Sequence, residues 1–204
     1  MPRPFFSIIV PFYQGVITDE AFDRFVALAA LERYTGADFE LVLLHDGPLL
    51  RPCSQPVVET ARRENVWGHN LRALGLQRAR GIYVIHTNAD NVLAPGALGV
   101  LQRVLQQDPC DVLIACARMR GLRRREDDSV YYDEPRDYSV STLLTGNPPR
   151  FSNIDLMQLI ARRDEVWQHM GWPVRHRAAD AFLYARICRE FPPKFSSVVI
   201  GEHF

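Results

Sequence analysis

An α/β fold built on a mostly parallel sheet is predicted by three observations. Short apolar, β-branched runs recur along the first half of the chain. They alternate with stretches of helical period, and they end in polar or turn residues, as strands covered on both faces by helices do. The first run, Phe5-Phe6-Ser7-Ile8-Ile9-Val10, stops at Pro11. Thr18 is placed to cap the next helix, with Asp19 and Glu20 in its first turn and Phe22, Phe25, Val26 and Ala29 on one face. Phe39 to Leu44 reads as a second buried strand, ending at His45-Asp46-Gly47-Pro48. A Pro- and Arg-rich stretch without clear period follows, and Gly68 to Arg80 then reads as a helix with Gly81 as its C-terminal stop. Ile82-Tyr83-Val84-Ile85 is a third strand running into His86-Thr87-Asn88-Ala89-Asp90-Asn91, and Pro95 opens a helix that turns Leu98, Leu101 and Leu105 inward.

The second half is less regular. Asp111 to Cys116 reads as a strand, and residues 117 to 150, with arginines at 118, 120 and 123–125 followed by Glu126-Asp127-Asp128, as a long mobile excursion and a candidate lid. Helices are expected near 164–170 and 178–190, and a last strand at Ser197-Val198-Val199-Ile200. The whole is expected to be one domain, with residues 1–100 as a ligand-binding half and 101–204 as a second half that selects the other substrate.

At 204 residues and 23.3 kDa the chain can bury a core without disulfides. A hydrophobic fraction of 47 % with 24 % charged residues excludes a disordered or fibrous protein. The net charge of +0 gives no overall pull toward nucleic acid. Of the 24 basic residues only Lys194 is a lysine, a bias that reads as compositional. Cys53, Cys110, Cys116 and Cys188 form no C-x-x-C pair and no zinc spacing. No run reaches the ~18 apolar residues of a membrane span, so a reduced, cytoplasmic protein, with peripheral membrane contact open, is the expectation.

Open parallel sheets bind ligands beyond the carboxyl ends of their strands. Three ends are decorated here: Pro11-Phe12-Tyr13-Gln14, His45-Asp46-Gly47 and Asn88-Ala89-Asp90-Asn91. Neither G-x-G-x-x-G nor G-x-x-x-x-G-K-[ST] follows the first strand, which argues against a dinucleotide-binding dehydrogenase and a P-loop enzyme. In order, Ile8-Ile9-Val10-Pro11-Phe12-Tyr13-Gln14, Leu41-Val42-Leu43-Leu44-His45-Asp46-Gly47-Pro48, Leu71-Arg72-Ala73-Leu74-Gly75-Leu76-Gln77-Arg78-Ala79-Arg80-Gly81-Ile82-Tyr83-Val84 and Asn88-Ala89-Asp90-Asn91 resemble family 2 glycosyltransferases of the GT-A fold. Their patterns are V-P-x-Y-N, D-D-G-S, A-R-N-x-G-x-x-x-A-x-G-x-Y-I and D-x-D. The resemblance is dense over residues 5 to 100 and thins to Arg162-Arg163, Ala179-Asp180 and a terminal histidine. The chain departs from the patterns at Gln14, His45, Asn88 and Ala179, where the family has Asn, Asp, Asp and Glu.

The resemblance implies a metal-dependent, inverting transfer of a sugar from a nucleotide-diphosphate donor, UDP-type, to an unidentified acceptor. Asp90 would hold a divalent cation, manganese or magnesium, with His203 as a further ligand. Asp46 would accept from the base and Arg72 would contact the nucleotide, with Pro11, Tyr13 and Asn88 lining the same crevice. Asp180 would be the general base, with Asp155 as the next acceptor-facing carboxylate. Each residue also has a plain reading: turn chemistry for Asp46 and Asp90, helix-start stabilisation for Asp180, a frayed tail for His203, an exposed helix arginine for Arg72. Trp167 and Trp172 either stack on a sugar or pack in the core, and the 118–125 arginines either clamp an anion or pair within their own loop. His69, His86, His169 and His176 show no site spacing. Two other readings are a degenerate module that binds a nucleotide sugar or a protein partner without turnover, and a sugar-phosphate nucleotidyltransferase, which the missing glycine-rich first loop disfavours.

Overall fold

The first strand, β1 (Phe6–Phe12), is buried at every position, as a central strand must be. It pairs in parallel with β2 (Phe39–His45) on one side and β4 (Tyr83–His86) on the other. The computed structural model describes residues 2–126, 130–132, 134–150, 153–173 and 179–204. Around β1 a nine-stranded sheet runs in the order β3 (Val58–Glu59), β2, β1, β4, β10 (Leu159–Arg162), β6 (Val112–Arg120), β11 (Lys194–His203) and β5 (Val92–Leu93), with β9 (Ser141–Leu144) paired to β6. β10 is antiparallel to both neighbours, and β11 is parallel to β6.

Alternate residues of β1 serve two cores. Ile8 and Val10 pack with Phe22 and Phe25 of α1 (Asp19–Glu32) and Leu98 and Leu101 of α3 (Ala97–Gln107). Ile9 packs with Leu71 of α2 (His69–Arg78) and, beyond the short α4 (Gln168–Met170), with Leu183 and Ile187 of α5 (Ala179–Glu190). Helices thus cover both faces, which is why the strands read as continuous apolar runs.

Thr18 caps α1 as expected, its Oγ1 accepting from the Ala21 amide at 3.2 Å. Other boundaries moved for identifiable reasons. Gly81 does not stop α2, which ends at Arg78. It lets the backbone approach β1: a Cβ there would lie 2.4 Å from the Ser7 nitrogen. α3 starts at Ala97 rather than Pro95, because the buried Glu32 carboxylate caps it by accepting from the Gly96 and Leu98 amides at 2.5 and 2.9 Å. The expected irregular excursion at 117–150 instead carries regular structure. β6 continues to Arg120 and pairs with β9, while β7 (Leu122–Arg124) and β8 (Val130–Tyr132) form a separate two-stranded sheet. Asp127 and Asp128 of its charge run lie outside the described residues, as does His176. The last strand is also longer than expected, so His203 stands inside β11. Gly201 lies within this strand and admits the Val92 carbonyl, which would sit 2.3 Å from a Cβ.

Candidate active site

The ends of β1, β2 and β4 open on a cavity of about 230 Å³, lined among others by Pro11, Tyr13, Asp46, Arg72, Asn88 and Asp90. All six are sequence-predicted site residues. Arg72 comes from the first turns of α2 and is 3 % exposed. Its Nη2 donates to Asn88 Oδ1 at 2.6 Å, its guanidinium lies 5.5 Å from the Trp172 ring centre, and its Nε has no partner. Burial pushes Arg72 down to about 10 against the attraction of Tyr184, Asp180, Asp155 and Asp90. Unpaired buried charge is costly, so a guanidinium held there against a neutral amide is suited to an incoming anion. Asp90 Oδ1 is likewise buried without a partner.

Two of these residues already have partners. Asp46 accepts on its two oxygens from the backbone amides of Glu64 and Asn65, each at 2.9 Å. It therefore anchors the loop before α2. An ionised carboxylate has about four lone-pair sites, so capacity for one further donor remains. That loop holds Asn65 at φ 53° and Trp67 at φ 52°, left-handed values that cost non-glycine residues roughly 1–3 kcal/mol each. Tyr13 lines the cavity, with the Arg63 guanidinium 3.8 Å over its ring centre and the His45 ring 5.4 Å away.

A second cleft of about 240 Å³ is lined by Asp155, Asp180, Tyr184 and His203 together with apolar side chains such as Met119, Leu122 and Leu144. His203 Nδ1 bonds Asp155 Oδ2 at 2.7 Å, so His203 is no frayed tail. Burial pushes the Asp155 carboxyl up, but the charge and hydrogen bond of His203, with the Met157 and Leu156 amides, bring it below the ordinary carboxylate value. Burial pushes His203 down, but the charge and hydrogen bond of Asp155, with the charge of Asp90, leave it above the ordinary imidazole value. The imidazole's contribution to stability is therefore complete below about pH 6.5 and lost as pH rises through its raised folded value. The carboxylate's contribution is complete above about pH 3.9 and lost as pH falls through its lowered one. The melting-temperature gap between wild type and His203→Ala is expected to be widest between those limits and to narrow on going alkaline. A pH scan of both proteins checks this, and a gap that stays constant as the imidazole deprotonates contradicts it.

A model of the family described as Glycosyl transferase family 2 matches residues 7–166. The chain belongs to glycosyl transferase family 2. S. aureus TarS, residues 1–349 in complex with UDP, superposes with a TM-score of 0.68 at 13 % identity, over 97 % of this chain and 60 % of that one. The same protein in complex with UDP-GlcNAc gives 0.66 at 13 %, over 97 % and 58 %. The mannosyltransferase PcManGT from Pyrobaculum calidifontis, in complex with GDP-Man and Mn2+, gives 0.64 at 17 %, over 99 % and 57 %. The chain thus spans 57–60 % of the length of these structures. At such identities the likeness shows the fold, which is GT-A. No curated protein matches the chain.

Within this family 2 chain, the metal expectation is tested by the donor set. Among the described residues no three His, Cys, Asp or Glu side chains form a metal-holding group. The unpartnered Asp90 oxygen, with His203 close enough to feel its charge, fits a hard cation completed by substrate phosphate and water. It does not fit a cation held by protein alone. Asn88, at the first position of the family's acidic pair, is committed to Arg72.

Other readings resolve against the coordinates. Trp167 and Trp172, 2 % and 7 % exposed, pack in the core around the buried His86 ring, whose centre is 4.7 and 4.4 Å from theirs. Burial and then the charge of Arg72 push His86 well below the ordinary imidazole value, so it is neutral. No arginine of 118–125 lines either cleft. Arg120 pairs with Glu202 at 2.8 Å and Arg123 with Asp137 at 3.4 Å. No described helix is long and apolar enough to cross a membrane. Sequence reasoning missed the 63–67 loop, whose one signal was an isolated tryptophan in the polar run Arg62-Arg63-Glu64-Asn65-Val66-Trp67-Gly68.

Proposed function

We propose that the chain transfers a sugar from a nucleotide-diphosphate donor, UDP-type, to an acceptor hydroxyl with inversion at the sugar carbon. The observation that carries this reading is the pairing of two incomplete groups in one cavity: the buried Arg72 guanidinium and the Asp90 carboxylate, each with a polar atom that has no hydrogen-bond partner among the described residues. One suits the phosphates of a donor, and the other suits the cation that accompanies them. A divalent cation, manganese or magnesium, on Asp90 and His203 would supply positive charge to the departing diphosphate. Arg72 binds and orients the phosphates by charge-assisted hydrogen bonds. Asp46 holds the pocket loop and accepts from the base, while Pro11 and Tyr13 form the crevice wall. Asp180, at the start of α5 and on the second cleft, takes the proton from the acceptor hydroxyl. GDP-Man on a structural neighbour keeps a guanine donor as the competing base.

The test is calorimetry with UDP and GDP, with and without manganese, followed by release of free nucleotide from the corresponding sugar donors. Tight binding with metal-dependent release supports an enzyme. Binding without release supports a nucleotide-sugar-binding module that has lost turnover, a reading favoured by the commitment of Asn88 to Arg72. No binding of either nucleotide removes both. Asp46→Ala is expected to weaken UDP tenfold or more, because two amide bonds to a charged group, each worth roughly 1.5–3 kcal/mol, no longer hold the loop. Unchanged UDP affinity in the folded variant would return Asp46 to a simple turn residue.

A further inference from the structure

Among the aromatic side chains lining the first cavity, two are already occupied. Phe12 is 5 % exposed and packs on Phe22 at a centre distance of 4.6 Å. Tyr13 has the Arg63 guanidinium over its face at 3.8 Å. Trp67 differs on every count. It is 63 % exposed, lines the same cavity, and makes no ring or cation contact among the described residues.

Its backbone also departs from the ordinary. A bulky residue in the left-handed region is a true outlier, and such outliers persist only where the surroundings over-determine them. Here the surroundings are specific. Both oxygens of Asp46 grip the loop amides at 64 and 65, Arg63 Nη2 bonds Asn65 Oδ1 at 3.1 Å, and Arg63 itself is clamped on Tyr13. Gly68 follows at φ 73°, where a Cβ would meet Pro11 at 3.0 Å, so the loop lies directly on the end of β1. A carboxylate, a cation–π stack and a glycine together fix a loop whose only large apolar side chain faces solvent at the cavity mouth.

We propose that Trp67 is the stacking platform for the donor's nucleobase, the planar group at the end of the nucleotide away from Arg72 and Asp90. The inference rests on the nucleotide-donor reading and names the side chain that carries the base. An indole face suits any planar base, so Trp67 supplies affinity, and the choice between pyrimidine and purine falls to hydrogen bonds such as those left to Asp46.

The chain has three tryptophans, and the other two are buried, so iodide quenching of intrinsic fluorescence reads Trp67. Saturating UDP is expected to protect the iodide-accessible fraction in wild type. By calorimetry, Trp67→Ala should lose roughly 5- to 150-fold in UDP affinity, the range of an aromatic–base stack. Trp67→Phe should recover most of it, and inorganic pyrophosphate, which has no base, should bind Trp67→Ala and wild type alike. UDP binding that is equal in wild type and Trp67→Ala, or that leaves iodide quenching unchanged, overturns the platform and leaves the donor reading standing. An equal loss for pyrophosphate and UDP also overturns it, because Trp67 would then only be shaping the loop. Failure of wild type to bind either UDP or GDP overturns the donor reading, and the platform with it.

Discussion

Asp180→Asn is expected to keep UDP affinity within a fewfold of wild type and to lower glycosyl transfer by roughly 10²- to 10⁴-fold, the usual worth of a general base. Asparagine preserves the shape at the start of α5 and removes only the ability to take a proton. The competing carboxylate, Asp155, is poorly suited to the task. It is buried, bonded to His203 at 2.7 Å and held below the ordinary carboxylate value, so the chain stabilises its ionised form and makes it a weak base. Tyr184, on the same cleft, is pushed well above its ordinary value, first by burial and then by the charge of Asp180, and its hydroxyl donates to the Leu156 carbonyl at 2.8 Å. Asp180, which lines the same cleft at the start of α5, is the carboxylate to which we assign the proton. The measurement is the steady-state rate with an identified acceptor beside calorimetric binding of UDP. Wild-type turnover in Asp180→Asn would move the base elsewhere, and a parallel loss of UDP binding would make Asp180 a structural residue.

The parallel half of the fold was legible because its signals are local. A run such as Phe6–Val10, apolar but for Ser7 and rich in β-branched residues, reads as a strand covered on both sides, and Thr18 with Asp19 and Glu20 marks a helix start. Residues at the ends of these strands could be named in advance for the same reason: a parallel sheet brings its carboxyl ends to one crevice. What escaped depends on partners distant in sequence. Glu32 sets the start of α3 across 64 residues, and Asp155 meets His203 across 48. β6 was cut short at Cys116 because its later residues alternate Arg118, Met119 and Arg120, a half-buried pattern that only its pairing with β9 explains. The loop contacts of Asp46 were not legible, since nothing in Asp-Gly-Pro says that the amides of residues 64 and 65 will fold back onto it.

His203 is expected to support stability even in the absence of metal, through its contact with Asp155. His203→Ala leaves the Asp155 carboxylate, 7 % exposed, without its imidazole partner. Removing one member of a buried ion pair costs roughly 3–5 kcal/mol in full burial. His203 is 23 % exposed, so a somewhat smaller loss, about 1–3 kcal/mol, is expected here. For a chain of this size that corresponds to a melting-temperature drop of roughly 2–12 °C without any metal. His203→Asn separates the two functions of the ring. The asparagine amide can donate to Asp155 from nearly the position of Nδ1, but it offers no equivalent of the second ring nitrogen. The asparagine variant is therefore expected to melt close to wild type while needing at least about tenfold more manganese for half-maximal donor turnover, as loss of a ligand or its support typically requires. Calorimetric melting without metal and a manganese titration of turnover decide between the roles. If both variants melt like wild type, the 2.7 Å contact carries no stability. If the asparagine variant keeps the wild-type manganese requirement, His203 is a structural partner of Asp155, and Asp90 is the protein's sole side chain on the cation.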